Sequence, residues 1–175
     1  MTLPVAQQQV AALQAPPQPW KNGGGVTRHL AHGGVGPAGG EAWAWRISLA
    51  DVAADGPFSA YPGVQRWFAV VDGGGVQLRF ENRLSRLTPD SAALHFDGAE
   101  APHCSLLTGP TRDLNLMLQA GARGEMQRGT HFNADWPQRG CYDPATHTLH
   151  WGFAPGPLQW PHAVLWLGVD EGGMA

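Results

Sequence analysis

The sequence predicts an all-β fold, a sandwich or barrel built from many short strands. Apolar residues recur at a spacing of two along several stretches, which is the periodicity of a strand. Turn-forming residues separate these stretches at short intervals, as in Asp72 to Gly75 and Thr108 to Pro110. Beyond residue 20, no window of a dozen residues carries the 3.6-residue apolar stripe of a helix, although Ala120 to Gly129 is compatible with one helical turn.

The chain begins with a segment whose structure the sequence leaves open. Val5 to Gln14 fits either a short helix or a strand, and the proline-rich Ala15 to Pro19 should be extended. Later strands are predicted from apolar runs bounded by turns. They are Trp67 to Val71, Val76 to Glu81, Ala92 to Phe96, Cys104 to Thr108, Asp113 to Gln119, Thr148 to Phe153 and Ala163 to Gly168.

The clearest alternation lies in residues 43–50. One face of this predicted strand carries large apolar side chains, and the other carries small or polar ones. The first face comprises Trp43, Trp45, Ile47 and Leu49, and the second Ala44, Arg46, Ser48 and Ala50.

Length and composition indicate one folded domain spanning 1–175. A chain of 175 residues is long enough for one sizeable core but short for two. Its 43% hydrophobic content and eight tryptophans argue against disorder. The net charge of -3 and the pI of about 6.2 exclude the basic surface expected of a nucleic-acid partner. No long apolar run or charged leader is visible, so we expect no membrane partner and a cytoplasmic location. In that compartment we expect Cys104 and Cys141 to be buried thiols.

Neither a metal site nor a nucleophile has a recognisable motif. None of the eight histidines forms a His-x-His pair, and His147 and His150 lie three apart in a turn-strand stretch where their rings would diverge. There is no Gly-x-Ser-x-Gly elbow, and consecutive His103 and Cys104 would point to opposite faces of a strand. We therefore expect no metal and no cofactor.

Lys21 is the only lysine and lies in the block Trp20 to Arg28, directly before Asn22 and three glycines. In a phosphate-binding P-loop the lysine follows the glycines, so residue order excludes that motif. A flexible cation beside glycine backbone is suited to holding an anionic group, whereas the structural alternative is a glycine-assisted turn.

Other polar residues are placed where strands would align them. Arg46 and Ser48 share one face of a strand, Asn115 shares a face with Asp113 and Met117, and Ser59, Tyr61 and Arg66 surround a Pro-Gly turn. Arginine surrounded by hydroxyl and amide groups binds carboxylates through charge-assisted hydrogen bonds. The alternative, that these side chains face solvent, remains open from the sequence.

Three blocks carry a family resemblance: Trp20 to Arg28, Trp45 to Arg66 and Gly109 to Met117. Together they resemble the HutD/Ves family. The resemblance implies a cupin-like (RmlC-like jelly-roll) β-barrel in a bicupin arrangement within one chain, with pseudo-repeat halves at about 20–118 and 119–175. It also implies a role in bacterial histidine utilisation or stress response, no established catalytic reaction, and binding of a small carboxylate such as urocanate or N-formylglutamate.

The chain departs from the metal-binding cupin pattern of His-x-His, a following Glu and a later His. Where Tyr61 to Gly73 resembles the first cupin motif, the histidines are missing and Arg66 stands at the position aligned with the glutamate. A guanidinium donates hydrogen bonds to anions, whereas a carboxylate binds cations. The substitution therefore favours an anion pocket.

The leading hypothesis is a metal-free protein that binds a small carboxylate ligand and modulates histidine utilisation. One alternative is an enzyme, either a metal cupin using His95 and His103 or a metal-free isomerase or lyase using Lys21 or Tyr61. Another is an interaction protein, including a homodimer, with Trp136, Trp151, Trp160 and Trp166 at its interface. The predicted ligand-binding residues are Lys21, Asn22, Arg46, Ser48, Ser59, Tyr61, Arg66 and Asn115.

Overall fold

A computed structural model describes residues 1–172, which form fifteen strands and one 3-10 helix, Ala12–Gln14. The strands are β1 (Gln8–Ala11), β2 (Gln18–Pro19), β3 (Gly25–Gly33), β4 (Trp45–Val52), β5 (Gly56–Pro57), β6 (Gln65–Gly73), β7 (Val76–Arg79), β8 (Leu84–Leu87), β9 (Leu94–Asp97), β10 (His103–Leu106), β11 (Thr111–Leu118), β12 (Arg123–Phe132), β13 (Gln138–Asp143), β14 (Thr148–Trp151) and β15 (Leu158–Asp170).

The strands form three antiparallel sheets. A central sheet has the order β2-β3-β4-β11-β6-β9, a second has β5-β10-β7-β8, and a third has β1-β14-β13-β15-β12. The predicted all-β, cupin-like fold is confirmed. The sheets pack as a sandwich and are not closed into the predicted barrel, and the bicupin arrangement with halves 20–118 and 119–175 stays a prediction.

Alternation along its inner strands lets the central sheet bury both faces. Odd-numbered β4 side chains such as Ile47 and even-numbered β11 side chains such as Leu116 pack against the five-stranded sheet, where they meet Tyr142 and Leu165. On the opposite face, residues including Phe68 pack against the four-stranded sheet. The central sheet is therefore the middle layer, and a polar residue on either face can be enclosed.

The C-terminal tryptophans lie mainly in the core. Trp151, Trp160 and Trp166 are buried, while Trp136 is partly buried and donates a hydrogen bond from Nε1 to Glu125 Oε1 at 2.8 Å. The hypothesis that they form an exposed interface is wrong for the three buried indoles. A homodimer remains an untested expectation.

Several strands escape prediction because their periodicity is interrupted. The suggested helical turn in Ala120 to Gly129 is wrong, since β12 occupies most of that segment and carries a register shift between Gly129 and His131. A similar irregularity between His29 and Ala31 obscures β3. A β-bulge inserts a residue and inverts the facing of everything beyond it, so a period-two pattern is lost.

The N-terminal segment combines the two structures considered for it. Part of Val5 to Gln14 is strand β1 and part is the 3-10 helix, and the extended Ala15 to Pro19 includes β2. Strand β1 pairs with β14, which ties the start of the chain to its C-terminal sheet. Cys104 and Cys141 are buried free thiols, as predicted. Within residues 1–172, no helix is long and apolar enough to cross a membrane.

Candidate functional site

A cavity of about 640 Å³ opens on the face of the central sheet that is turned toward the four-stranded sheet. Strands β4, β6 and β11 supply its floor, and the segments around Trp20 and Phe58 supply its walls. The structure brings all eight predicted ligand-binding residues to this cavity. They are Lys21, Asn22, Arg46, Ser48, Ser59, Tyr61, Arg66 and Asn115.

Strand register explains why the polar floor is continuous. Met117 of β11 lies opposite Arg46 of β4 on one side and opposite Arg66 of β6 on the other. Two residues earlier, Asn115 lies opposite Ser48. Opposed residues of neighbouring strands point to the same face, so three strands present one polar surface.

Arg66 is buried, with only 5% of its surface exposed. Its Nη2 donates a hydrogen bond to Asn115 Oδ1 at 2.7 Å, whereas its Nε has no hydrogen-bond partner. The guanidinium carbon lies 5.1 to 5.6 Å from the ring centroids of Phe58, Tyr61 and Phe96. Burial lowers the pKa of Arg66, because the low-dielectric surroundings disfavour its charge.

Arg46 is held by an aromatic and a thioether contact. Its guanidinium carbon lies 4.7 Å from the centroid of Trp43, and Nη2 lies 3.5 Å from Met117 Sδ. Its Nε is buried without a partner. Trp43 precedes β4 and packs with Val64 and Met117, so its predicted place on the Ile47 face is wrong.

Asp113 completes the floor and was absent from the predicted ligand-binding set. Only 1% of it is exposed, Asn115 Nδ2 donates to its Oδ1 at 2.6 Å, and its Oδ2 has no partner. Burial raises the pKa of Asp113 to about 7, despite the opposing effects of Asn115 and Arg66. The available sequence signal was its position two residues before Asn115 on the same strand face.

The rim of the cavity is shaped by the block around Lys21. Lys21 and Asn22 are exposed, and Asn22 Oδ1 accepts a hydrogen bond from Gly24 N at 2.9 Å, an Asx-type turn. Trp20 Nε1 donates to Thr27 Oγ1 at 2.8 Å and so orients the indole at the cavity wall. The block around Lys21 therefore forms a turn and, at the same time, part of the rim of the cavity.

Ser59 and Tyr61 come from the segment that follows β5. Two titratable residues that were not predicted, Glu41 and His29, also line the cavity. Glu41 is exposed, and His29 places Nε2 3.0 Å from Gln18 Oε1. Burial lowers the pKa of His29, with a smaller contribution from Arg46 in the same direction. The half-polar sequence of β3 carried no signal for His29, and Glu41 lies in the loop between β3 and β4, where no strand periodicity marks it.

The cavity has an excess of uncompensated positive charge. In residues 1–172, Lys21, Arg46 and Arg66 form no ion pair within 4.0 Å, whereas Arg112 is paired with Asp51. Burial has the largest effect in lowering the pKa of Arg66, Asp113 opposes this shift, and repulsion from Arg46 adds a smaller lowering. A bound anion would relieve this repulsion.

The histidines considered for a metal are dispersed. His95 stacks on Trp67 with ring centroids 4.7 Å apart, and His103 lies on β10 beside Pro57. Over the described part of the chain, no three or more His, Cys, Asp or Glu side chains form a group that could hold a metal ion.

Comparisons with known proteins agree on one family. The model of the HutD family matches residues 12–146, most of the chain. A Pseudomonas putida relative named "Uncharacterized 21.2 kDa protein in hutC 3'region" is 38% identical over 111 residues, 63% of this chain and 57% of the relative. Protein Ves from Citrobacter koseri is 32% identical over 57% of this chain and 51% of its own length. The chain thus spans about half the length of the curated relatives it matches.

Solved structures extend the similarity to the whole fold. HutD from Pseudomonas fluorescens SBW25, determined in a formate condition, is 25% identical with a TM-score of 0.82, covering 95% of this chain and 99% of that one. Protein Ylba from E. coli has a TM-score of 0.68 at 8% identity, covering 95% and 92% respectively. The second likeness concerns the fold alone.

Proposed function

Since this chain belongs to the HutD family, we propose that it is a metal-free, cupin-like binding protein whose cavity accepts a small carboxylate of the urocanate or N-formylglutamate class. In this proposal the liganded protein acts in the cytoplasm to modulate histidine utilisation or a stress response. The name of the Pseudomonas putida relative, in the hutC 3' region, supports the link to histidine utilisation.

The observation that carries the proposal is the pair of arginines on the cavity floor. Arg46 and Arg66 each keep a buried Nε with no hydrogen-bond partner. Neither forms an ion pair within 4.0 Å in the described part of the chain. Arg66 is buried and Arg46 is partly buried. A guanidinium withdrawn from water without an ion-pair partner is unfavourable, and a carboxylate ligand supplies both the charge and the acceptor oxygens.

The remaining lining residues suit the same ligand. Ser48, Ser59 and Asn22 bear groups that donate hydrogen bonds to carboxylate oxygens, and Lys21 adds a second cationic position at the rim. Aromatic walls contributed by Trp20 and its neighbours enclose a planar or short-chain acid and displace water. Displacing water lowers the local dielectric, so each charge-assisted hydrogen bond strengthens.

Isothermal titration calorimetry with urocanate and N-formylglutamate tests the proposal. We expect Arg46→Ala to weaken binding by about 30-fold or more, because removing one partner of a buried charge pair costs about 2 to 5 kcal/mol. Arg86→Ala is the matched control, since Arg86 is exposed on β8 and outside the cavity. Absence of binding by the wild-type protein, or equal weakening by both substitutions, would contradict the proposal.

Two measurements on the same samples separate the enzyme alternative. Elemental analysis of the purified protein should find no stoichiometric metal, and stoichiometric iron, zinc, nickel or manganese would instead favour a metal cupin. Proton NMR of the titrated acids should show them unchanged, since a binding protein releases its ligand intact. A product signal that grows with protein concentration would favour an isomerase or lyase.

A further inference from the structure

We propose that Asp113 is a specificity-determining residue that binds the ligand as a neutral acid, donating a hydrogen bond from Oδ2 to an oxygen of the bound carboxylate. The inference rests on the proposed function, because it assumes that the cavity holds an anion. It adds that above neutral pH each binding event takes up a proton, and that the affinity of the protein falls as pH rises through this range.

The first support is a directed chain of hydrogen bonds. Arg66 Nη2 donates to Asn115 Oδ1 at 2.7 Å, and Asn115 Nδ2 donates to Asp113 Oδ1 at 2.6 Å. Asn115 thus uses its acceptor for the arginine and a donor for the acid. This arrangement occupies Oδ1 of Asp113 and leaves Oδ2, which is buried and has no partner.

The second support is the composition of the surroundings of Asp113. The titratable groups that act on it are Arg66 of β6 and Asp51 of β4, and on β10 the Cys104 thiol is affected by it in turn. Arg66 favours the ionised acid, whereas Asp51 and burial favour the neutral acid, and burial is the largest effect. The pKa of Asp113 is about 7, so the carboxyl needs little energy to become protonated near neutral pH.

A ligand carboxylate shifts this balance further. An anion paired with Arg66 would approach Asp113, which lines the same cavity and whose pKa is already influenced by Arg66. Two adjacent carboxylates in a buried site repel each other when both are ionised, so the pKa of one of them rises and it retains a proton. The arginines stabilise the charge of the ligand, and the proton, taken from solvent, resides on Asp113 Oδ2 and points to a ligand oxygen.

This arrangement selects the chemistry of the ligand. A protonated Oδ2 requires an acceptor, which a carboxylate or carbonyl oxygen provides. Below about pH 7, where Asp113 is protonated, an ammonium or amide N–H at that position would meet another donor, and a buried donor left unpaired is costly. The inference therefore places an oxygen of the ligand, not a nitrogen bearing hydrogen, next to Asp113.

Calorimetric titration of N-formylglutamate from about pH 6 to about pH 9 tests the inference. For the wild-type protein we expect the Kd to rise by about tenfold per pH unit above pH 7, because only the protonated acid binds. Repeating the titration at about pH 8 in two buffers of different ionisation enthalpy should show uptake of about one proton per ligand. This second readout uses the wild-type protein alone and does not depend on the folding of a variant.

The isosteric Asp113→Asn variant supplies the matched comparison. Its amide can donate at every pH, so its Kd should be independent of pH and lower than that of the wild-type protein at about pH 9. Binding by the wild-type protein with neither proton uptake nor pH dependence would overturn this inference and leave the proposed function intact. No binding of N-formylglutamate or urocanate at any pH would overturn both.

Discussion

Replacing Asp113 by asparagine should stabilise the protein above neutral pH, in the absence of any ligand. Asp113 is almost fully buried, and its Oδ2 has no hydrogen-bond partner. Asparagine has nearly the same shape and can still accept the hydrogen bond from Asn115 Nδ2. It therefore imitates the protonated acid and removes the ionisation that the wild-type protein undergoes as pH rises.

The magnitude follows from the pKa of Asp113, which rises from 3.8 to about 7 on folding. Each pKa unit corresponds to about 1.4 kcal/mol, so ionising the buried acid lowers the free energy of unfolding by about 4 kcal/mol. For an acid with a raised pKa, the contribution to stability is complete below pH 3.8 and is lost as pH rises to about 7. The variant should match the wild-type protein at low pH and exceed it by about 4 kcal/mol at about pH 8.

Urea unfolding at several pH values, followed by tryptophan fluorescence, provides the assay. The informative quantity is the difference between the two proteins at each pH, because other titrating groups such as Asp143 contribute equally to both. A difference that does not change with pH, or a variant that is less stable at about pH 8, would refute the assignment of a raised pKa to Asp113.

Three further substitutions test the cavity and the fold. Arg66→Met should weaken binding of N-formylglutamate by about 30-fold or more in calorimetry, and unchanged affinity would exclude Arg66 as a ligand contact. Lys21→Met should weaken it by less than about fivefold, with the difference shrinking as salt is added, because Lys21 is exposed at the rim. Gly168→Ala should lower the free energy of unfolding by about 1 to 3 kcal/mol, since a Cβ there would overlap the Trp136 indole. Gly129→Ala is its control on the neighbouring strand β12, where the nearest atom to an added Cβ is 3.9 Å away, and equal losses would contradict this reasoning.

Prediction from sequence succeeded where local periodicity was intact. The alternation in β4 and β11 correctly separated Ile47 and Leu116, which lie in the core, from Arg46 and Asn115, which line the cavity. It failed for β3 and β12, where irregular pairing disrupts the pattern. It also failed for Trp43, which continues the sequence alternation of β4 but lies outside the strand.

The sequence by itself determined the β class, the cupin-like family and the two faces of the central strands, because period-two patterning and local motifs are properties of neighbouring residues. Only the tertiary structure decided whether the polar face meets solvent or a cavity, since that depends on a second sheet packing over it. The same packing determined the properties of Asp113. Asp113 is connected through Asn115 to Arg66, and the fold brings these last two residues together from positions 49 residues apart in the chain. The low dielectric around Asp113 comes from this packing and is not a property of any single position in the sequence.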